Sequence, residues 1–135
     1  MTPFGVKLRQ IRAERGWSLK QMAEGLGVSP AYLSALEHGR RGRPAHPMVV
    51  AICAQLNIIW DEADELHRLA RLSHPRVTVD TAGLAPAATE LANLLAERIR
   101  KLPAERIARL LDILKTMPAE PPRRRKRPSA KAAPG

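Results

Sequence analysis

Two short apolar-faced segments, each opened by its own cap and separated by a glycine turn, constrain this chain more than any other feature. In Ser18-Leu19-Lys20-Gln21 a serine hydroxyl can accept from the backbone while a glutamine three residues on reaches back, the capping-box arrangement. Met22, Ala23 and Leu26 then turn one face inward before Gly27 stops the helix. Ser29-Pro30 starts the next helix with an N-cap followed by proline at the first helical position, where a missing N–H costs nothing. That helix runs over residues 30 to 38, with Gly39 as its stop. Helices of about eight residues do not persist alone in water, so neighbours must hold them.

The neighbours are legible in the periodicity. Phe4, Leu8 and Ile11 make a stripe on a first helix that ends near Arg15 and Gly16. After a loop over 40–46, Pro47 opens a fourth helix with Val49, Ile52, Cys53 and Leu56 on one face. Asp61-Glu62 opens a fifth, where the helix dipole favours negative charge, with Leu66, Leu69 and Ala70 inward. The expectation is an all-α, five-helix domain over residues 1–72.

A linker over 73–85 follows. His74-Pro75 breaks helix, and Arg76-Val77-Thr78-Val79-Asp80 alternates with β-branched residues, which predicts either a short extended segment or a loop. A strand there needs a partner, and the same segment of a second chain, through Val77 and Val79, is the cheapest one. From Pro86 to Leu102 the stripe Ala88, Leu91, Leu94, Leu95, Ile99, Leu102 predicts one helix. Pro103 restarts the chain, and Ile107, Leu110, Leu111 and Leu114 predict another. This C-terminal helical hairpin over 86–117 carries more apolar surface than two helices can hide, so it must pack on the first domain or on another subunit. Residues 118–135 hold almost nothing to bury and are expected to be a disordered basic tail.

Charge sharpens the reading. The net +10 of the 135 residues is uneven: residues 1–43 carry eight cations against three anions, 44–117 carry nine of each, and 118–135 carry six cations against one anion. Such clustering attracts polyanions, nucleic acid or an acidic membrane surface, because each neutralised phosphate releases a counterion. No apolar run approaches the ~20 residues that cross a bilayer, and the mixed start of the chain is not a secretory signal, so a cytoplasmic protein is expected. One cysteine rules out a disulfide framework and a multi-cysteine metal site.

The string Ser18-x-x-x-Met22-Ala23-x-x-Leu26-Gly27-Val28-Ser29-x-x-Tyr32-Leu33-Ser34-x-Leu36-Glu37-x-Gly39 resembles the Cro and lambda-repressor type helix-turn-helix family, the XRE family, over about residues 4 to 70. The resemblance implies that residues 30–38 form a recognition helix laid in the major groove of double-stranded DNA, with the preceding helix crossing the phosphate backbone. The DNA-facing residues would be Ser29, Pro30, Ala31, Tyr32, Ser34, Ala35 and His38. At the positions of Pro30, Ala31 and Ala35 the family commonly carries Gln, Arg or Asn. Here those side chains cannot make bidentate hydrogen bonds, so direct readout rests on Tyr32, Ser34 and methyl contacts from Ala31 or Ala35 to thymine. Phosphate contacts and groove shape then supply much of the affinity, with Arg40, Arg41 and Arg43 in the loop that follows. Leu19 stands where the family usually has a phosphate-touching Gln, and Lys20 or Gln21 is the substitute. Arg12 and Glu37 occupy positions where many members form an ion pair that locks the recognition helix, with Arg12 aligned toward a phosphate; two unrelated surface charges is the simpler alternative.

Other constellations read as ordinary structure. His38, His46, His67 and His74 lack metal-ligand spacing, and no cofactor is implied. Cys53 on an apolar face is a small core residue rather than a redox sensor. Asp61-Glu62-x-Asp64-Glu65 is a dipole-favoured helix start rather than a catalytic pair, and Ser18, Ser29 and Ser34 have no accompanying base. An enzyme has no positive support. The reading is a bacterial or phage transcriptional regulator acting on the nucleoid, a homodimeric repressor with Leu91, Leu95, Ile99, Leu110 and Leu114 as interface candidates. Its rivals are an antitoxin whose C-terminal part neutralises a toxin and an architectural protein without sequence preference. The Arg123 to Arg127 run reads equally as a non-specific DNA arm or a solvating tail.

Overall fold

The computed structural model describes residues 1–118 and contains two units, Met1–Thr78 and a second beginning at Val79. The first holds α1 (Pro3–Glu14), α2 (Leu19–Leu26), α3 (Pro30–Glu37), α4 (His46–Leu56) and α5 (Trp60–Arg71). The second holds α6 (Pro86–Arg98), a 3-10 turn (Ile99–Lys101) and α7 (Ala104–Lys115). The predicted basic run 123–127 lies outside the described residues, among which no helix is long and apolar enough to cross a membrane.

Local chemistry starts and stops the helices of the first unit as the residue types demand. The Ser18 hydroxyl accepts from the Gln21 amide (3.0 Å) and the Gln21 side chain accepts from the Ser18 amide (2.8 Å), a complete capping box. Gly27 sits at φ +73°, a left-handed conformation that costs an L side chain about 1 kcal/mol, and this turns the chain from α2 into α3. The Ser29 hydroxyl accepts from the Tyr32 amide (3.0 Å) and Pro30 occupies the first turn.

These helices close over one core in which Phe4, Leu8, Ile11, Met22, Leu33, Leu36, Val49, Ile52 and Leu66 are all but inaccessible. Each such side chain contributes about 1.5–3 kcal/mol of burial, which is what keeps eight-residue α2 and α3 formed. Leu26, Val28 and Leu69 pack at its margin, and Ile58, on no predicted stripe, completes it. Helix α1 packs on α3 and α5, α2 on α3 and α4, and α4 on α5, so α3 is held at its sides while its first turn stays exposed.

The unit extends past residue 72. Ser73 is buried, its hydroxyl accepting from the Phe4 amide (2.9 Å) and donating to the Leu69 carbonyl (2.6 Å), which ties the start of α1 to the end of α5. No strand forms among the described residues, so residues 76–80 are loop rather than strand: none of those residues offers them an edge to pair with. The helix expected over 86–102 ends at Arg98 and tightens into the 3-10 turn, because Pro103 forces Leu102 into an extended conformation (ψ 128°). No residue of α6 or α7 is buried, although Leu102 and Ile107, flanking the connection, are half-covered.

One close approach fixes how α1 lies on α3. A Cβ placed on Gly5 would overlap the Glu37 backbone carbonyl, which has no freedom to swing away. Gly25 differs, since a Cβ there meets only the amide tip of the Gln55 side chain. Gly5→Ala is expected to lower the free energy of unfolding by about 2 kcal/mol, the scale of an overpacked core, although alanine is the better helix former. Urea denaturation measures it, and unchanged stability would show that α1 does not seat against that carbonyl.

Candidate nucleic-acid interface

The exposed start of α3 and the loop behind it form one surface. Ser29, Pro30 and Ala31 are exposed, Tyr32, Ser34 and Ala35 are half-buried, and His38 is exposed. Among the described residues neither the Tyr32 nor the Ser34 hydroxyl has a protein partner, so both are free to bond a base edge. His38 Nδ1 donates to the Ser34 carbonyl (2.8 Å), which turns Nε2 outward. Arg40, Arg41 and Arg43 are exposed, and the Arg41 guanidinium stacks 5.6 Å from the Tyr32 ring centre, pinning the loop to the helix. On α2, Lys20 and Gln21 are exposed, and the Gln21 amide nitrogen remains available after its oxygen has served the cap.

Behind this surface, α3 is anchored at its end. The Arg12 Nη2 lies 3.2 Å from a Glu37 carboxylate oxygen, and Nε donates to the same carboxylate at 3.3 Å. Both side chains are nearly inaccessible, 11% and 3% exposed. Arg12 Nη1 donates to the Trp17 carbonyl (3.4 Å), so the guanidinium is occupied mainly by the protein itself. On the other side the Thr2 amide and hydroxyl both donate to the Glu37 carbonyl at 3.2 Å. The sequence pattern signalled Arg12 and Glu37; it did not signal Thr2, Gly5 or Ser73, whose contacts are with backbone atoms of distant residues that no periodicity records.

Remaining titratable groups fit structural roles. Burial, with a contribution from Glu62, pushes the Cys53 thiol up, which favours the neutral form of a core residue. Glu62 pairs with Arg15 (3.6 Å) and Glu65 with Arg68 (2.8 Å). No group of three His, Cys, Asp or Glu that could hold a metal occurs among the described residues.

Burial also raises the Glu37 carboxyl above its ordinary 4.5, more than the Arg12 charge and hydrogen bonds lower it. A carboxyl of raised pKa binds its proton more tightly in the folded chain, so its contribution to stability is complete below the unfolded value and is lost as the pH rises through the folded one. Glu37→Gln removes that dependence and weakens the hydrogen bonds that Arg12 donates, so the variant should be less stable by about 1 kcal/mol at neutral pH. The deficit should widen as the pH is lowered toward 4.5, the ordinary value. Chemical denaturation of both proteins from pH 7 to 4 reads the difference, and parallel curves would contradict the assignment.

The family described as "Helix-turn-helix domain" matches residues 3–72, which contain all five helices of the first unit. The chain is similar to the uncharacterized HTH-type transcriptional regulator RghRB of Bacillus subtilis (strain 168), 34% identical over 61 residues, 45% of this chain and 44% of that protein. It is similar to the HTH-type transcriptional regulator SinR of the same organism, 33% identical over 65 residues, 47% of this chain and 59% of that one. The HTH-type transcriptional repressor RghR, also from that organism, is 36% identical over 61 residues, 45% of each chain. The chain thus spans about half the length of the curated relatives it matches. No solved structure matches it. With the match running from residue 3 to residue 72 of 135, over the capped helices, the glycine turn and the core that holds them, the chain belongs to the helix-turn-helix domain family.

Proposed function

We propose that this protein is a DNA-binding transcriptional regulator of the cytoplasm, a dimeric repressor that inserts α3 into the major groove of double-stranded DNA. The observation that carries this reading is the exposed, capped first turn of α3 beside three unpaired arginines, with both readout hydroxyls free. The similar proteins RghRB and SinR are named as transcriptional regulators and RghR as a transcriptional repressor, which supports the reading. Pro30 and Ala31 offer shape and methyl groups rather than donors, so Tyr32 and Ser34 carry the hydrogen-bonded discrimination while Arg40, Arg41 and Arg43 meet phosphates. Arg12, committed to Glu37, positions α3 and does not need to reach DNA itself.

A dimer fits the same mechanism, because one short helix sees only a few base pairs and two half-sites about 34 Å apart supply useful specificity. The second unit supports it: Leu91 and Leu114 are each 65% exposed, and Leu95, Ile99 and Leu110 lie on the same uncovered faces. Val77 and Val79 are also exposed.

Selection of genomic fragments at physiological salt should return an inverted repeat. Equal retention of random DNA would instead favour an architectural role. On the selected site, replacing Arg40, Arg41 and Arg43 together by Gln should flatten the dependence of log affinity on log salt by up to about 2.7 per subunit. Tyr32→Phe and Ser34→Ala should each weaken the selected site several-fold, by about 1 kcal/mol, while leaving random DNA unaffected. For the dimer, Leu91→Asp with Leu95→Asp should convert a dimer to a monomer in sedimentation equilibrium; a monomeric wild type, or co-purification of those leucines with a small toxin, would replace self-association with another partner.

A further inference from the structure

Behind the arginine loop, an open groove of about 850 Å³ lies between the start of α4 and the second half of α5. Its size falls within the range of small-molecule sites, roughly 300–1,000 Å³. Its floor is apolar and buried, made by Pro44, Val49 and Ala70. Arg43 comes from the loop, and His67 and Arg71 stand one turn apart on α5. His46, the first residue of α4, brings its ring to 4.9 Å from that of His67, so the two helices meet through imidazoles rather than through an ion pair. Helix α4 has no side-chain cap, which leaves its positive end turned to the same space.

The charges are uncompensated within the unit. Among the described residues neither Arg43 nor Arg71 is paired with a carboxylate, and Asp64, the one acid on the rim, pairs with neither. Two guanidiniums against one carboxylate leave an excess of a single positive charge over an apolar floor. That combination suits a singly charged organic anion: the body lies on Pro44, Val49 and Ala70, and the acidic head lies between Arg43 and Arg71, away from Asp64. A bare inorganic anion would leave the floor wet, and a dianion would meet Asp64.

We infer that this groove is an effector site for an aromatic or short aliphatic monocarboxylate, and that the ligand acts on DNA binding through Arg43. The second half of the inference rests on the proposed function, since Arg43 can hold either the ligand's carboxylate or a backbone phosphate. An occupied groove therefore lowers affinity for DNA.

The experiment uses the full chain with benzoate and hexanoate as probes, and benzyl alcohol and inorganic phosphate as controls. Without DNA, benzoate should shift the ring resonances of His46 and His67 in a saturable way. Arg71→Gln should weaken benzoate at least about tenfold, the scale of a charge-assisted pair. Asp64→Asn should tighten it about threefold by removing a like charge. These opposite signs in two surface variants separate recognition from misfolding, which circular dichroism checks. With DNA, saturating benzoate should weaken the selected site several-fold in the wild type but not in Arg71→Gln. Absence of any saturable shift, or equal binding of phosphate and benzoate, would overturn the site and leave the DNA reading intact. Benzoate binding with unchanged DNA affinity would overturn the coupling through Arg43. Failure of the ligand-free protein to bind any DNA would overturn the proposed function without touching the groove.

Discussion

The end of α3 is the point on which the molecule depends. An eight-residue helix cannot hold itself, and the carbonyl and carboxylate of Glu37 are where α1 takes hold of it. Thr2 donates twice to the carbonyl, Arg12 takes the carboxylate, and the bare Cα of Gly5 lets the two backbones come close enough for both. This anchor is polar and buried, so its strength lies in geometry more than in net energy. Burial opposes the Glu37 charge more than Arg12 favours it, and a partner left alone there would be costly. What the pair supplies is a single orientation for α3.

That orientation gives the other end of the helix its meaning. With Leu33 and Leu36 sunk in the core and the terminus latched, the first turn of α3 can only point outward, carrying Pro30, Ala31 and the hydroxyls of Tyr32 and Ser34. The same geometry swings the chain back through Arg40, Arg41 and Arg43, and the stacking of Arg41 on Tyr32 couples loop to helix. A surface poor in donors for bases and rich in donors for phosphates results. Arg43 is exposed and lines the groove between α4 and α5, so one side chain joins the two proposed activities.

Local rules made much of this legible. Caps, prolines and glycines act within three or four residues, which is why the bounds of α2 and α3 could be read from Ser18, Gly27, Ser29 and Gly39 alone. Apolar periodicity likewise marked nearly the whole core, because a helix buries a stripe whatever it packs against. The α6 boundary was less legible: the stripe ran on through Leu102, but Pro103 acts backward on its predecessor and ended the regular helix at Arg98. The alternation over 76–80 left strand and loop both open for a related reason, since a strand is defined by its partner, and among the described residues the segment has none and is loop.

By itself, then, the amino-acid order determined the helices, their caps, the apolar face of each and the family, because those depend on neighbours along the chain. Tertiary structure alone decided which polar groups are spent and which are free. Arg12 also donates to the Trp17 carbonyl while Arg40 and Arg43 remain exposed, Ser73 belongs to the core while Ser34 does not, and His46 meets His67 across two helices. Each of those outcomes is set by distances between residues far apart in the chain, and such distances exist only once the apolar stripes have closed on one another.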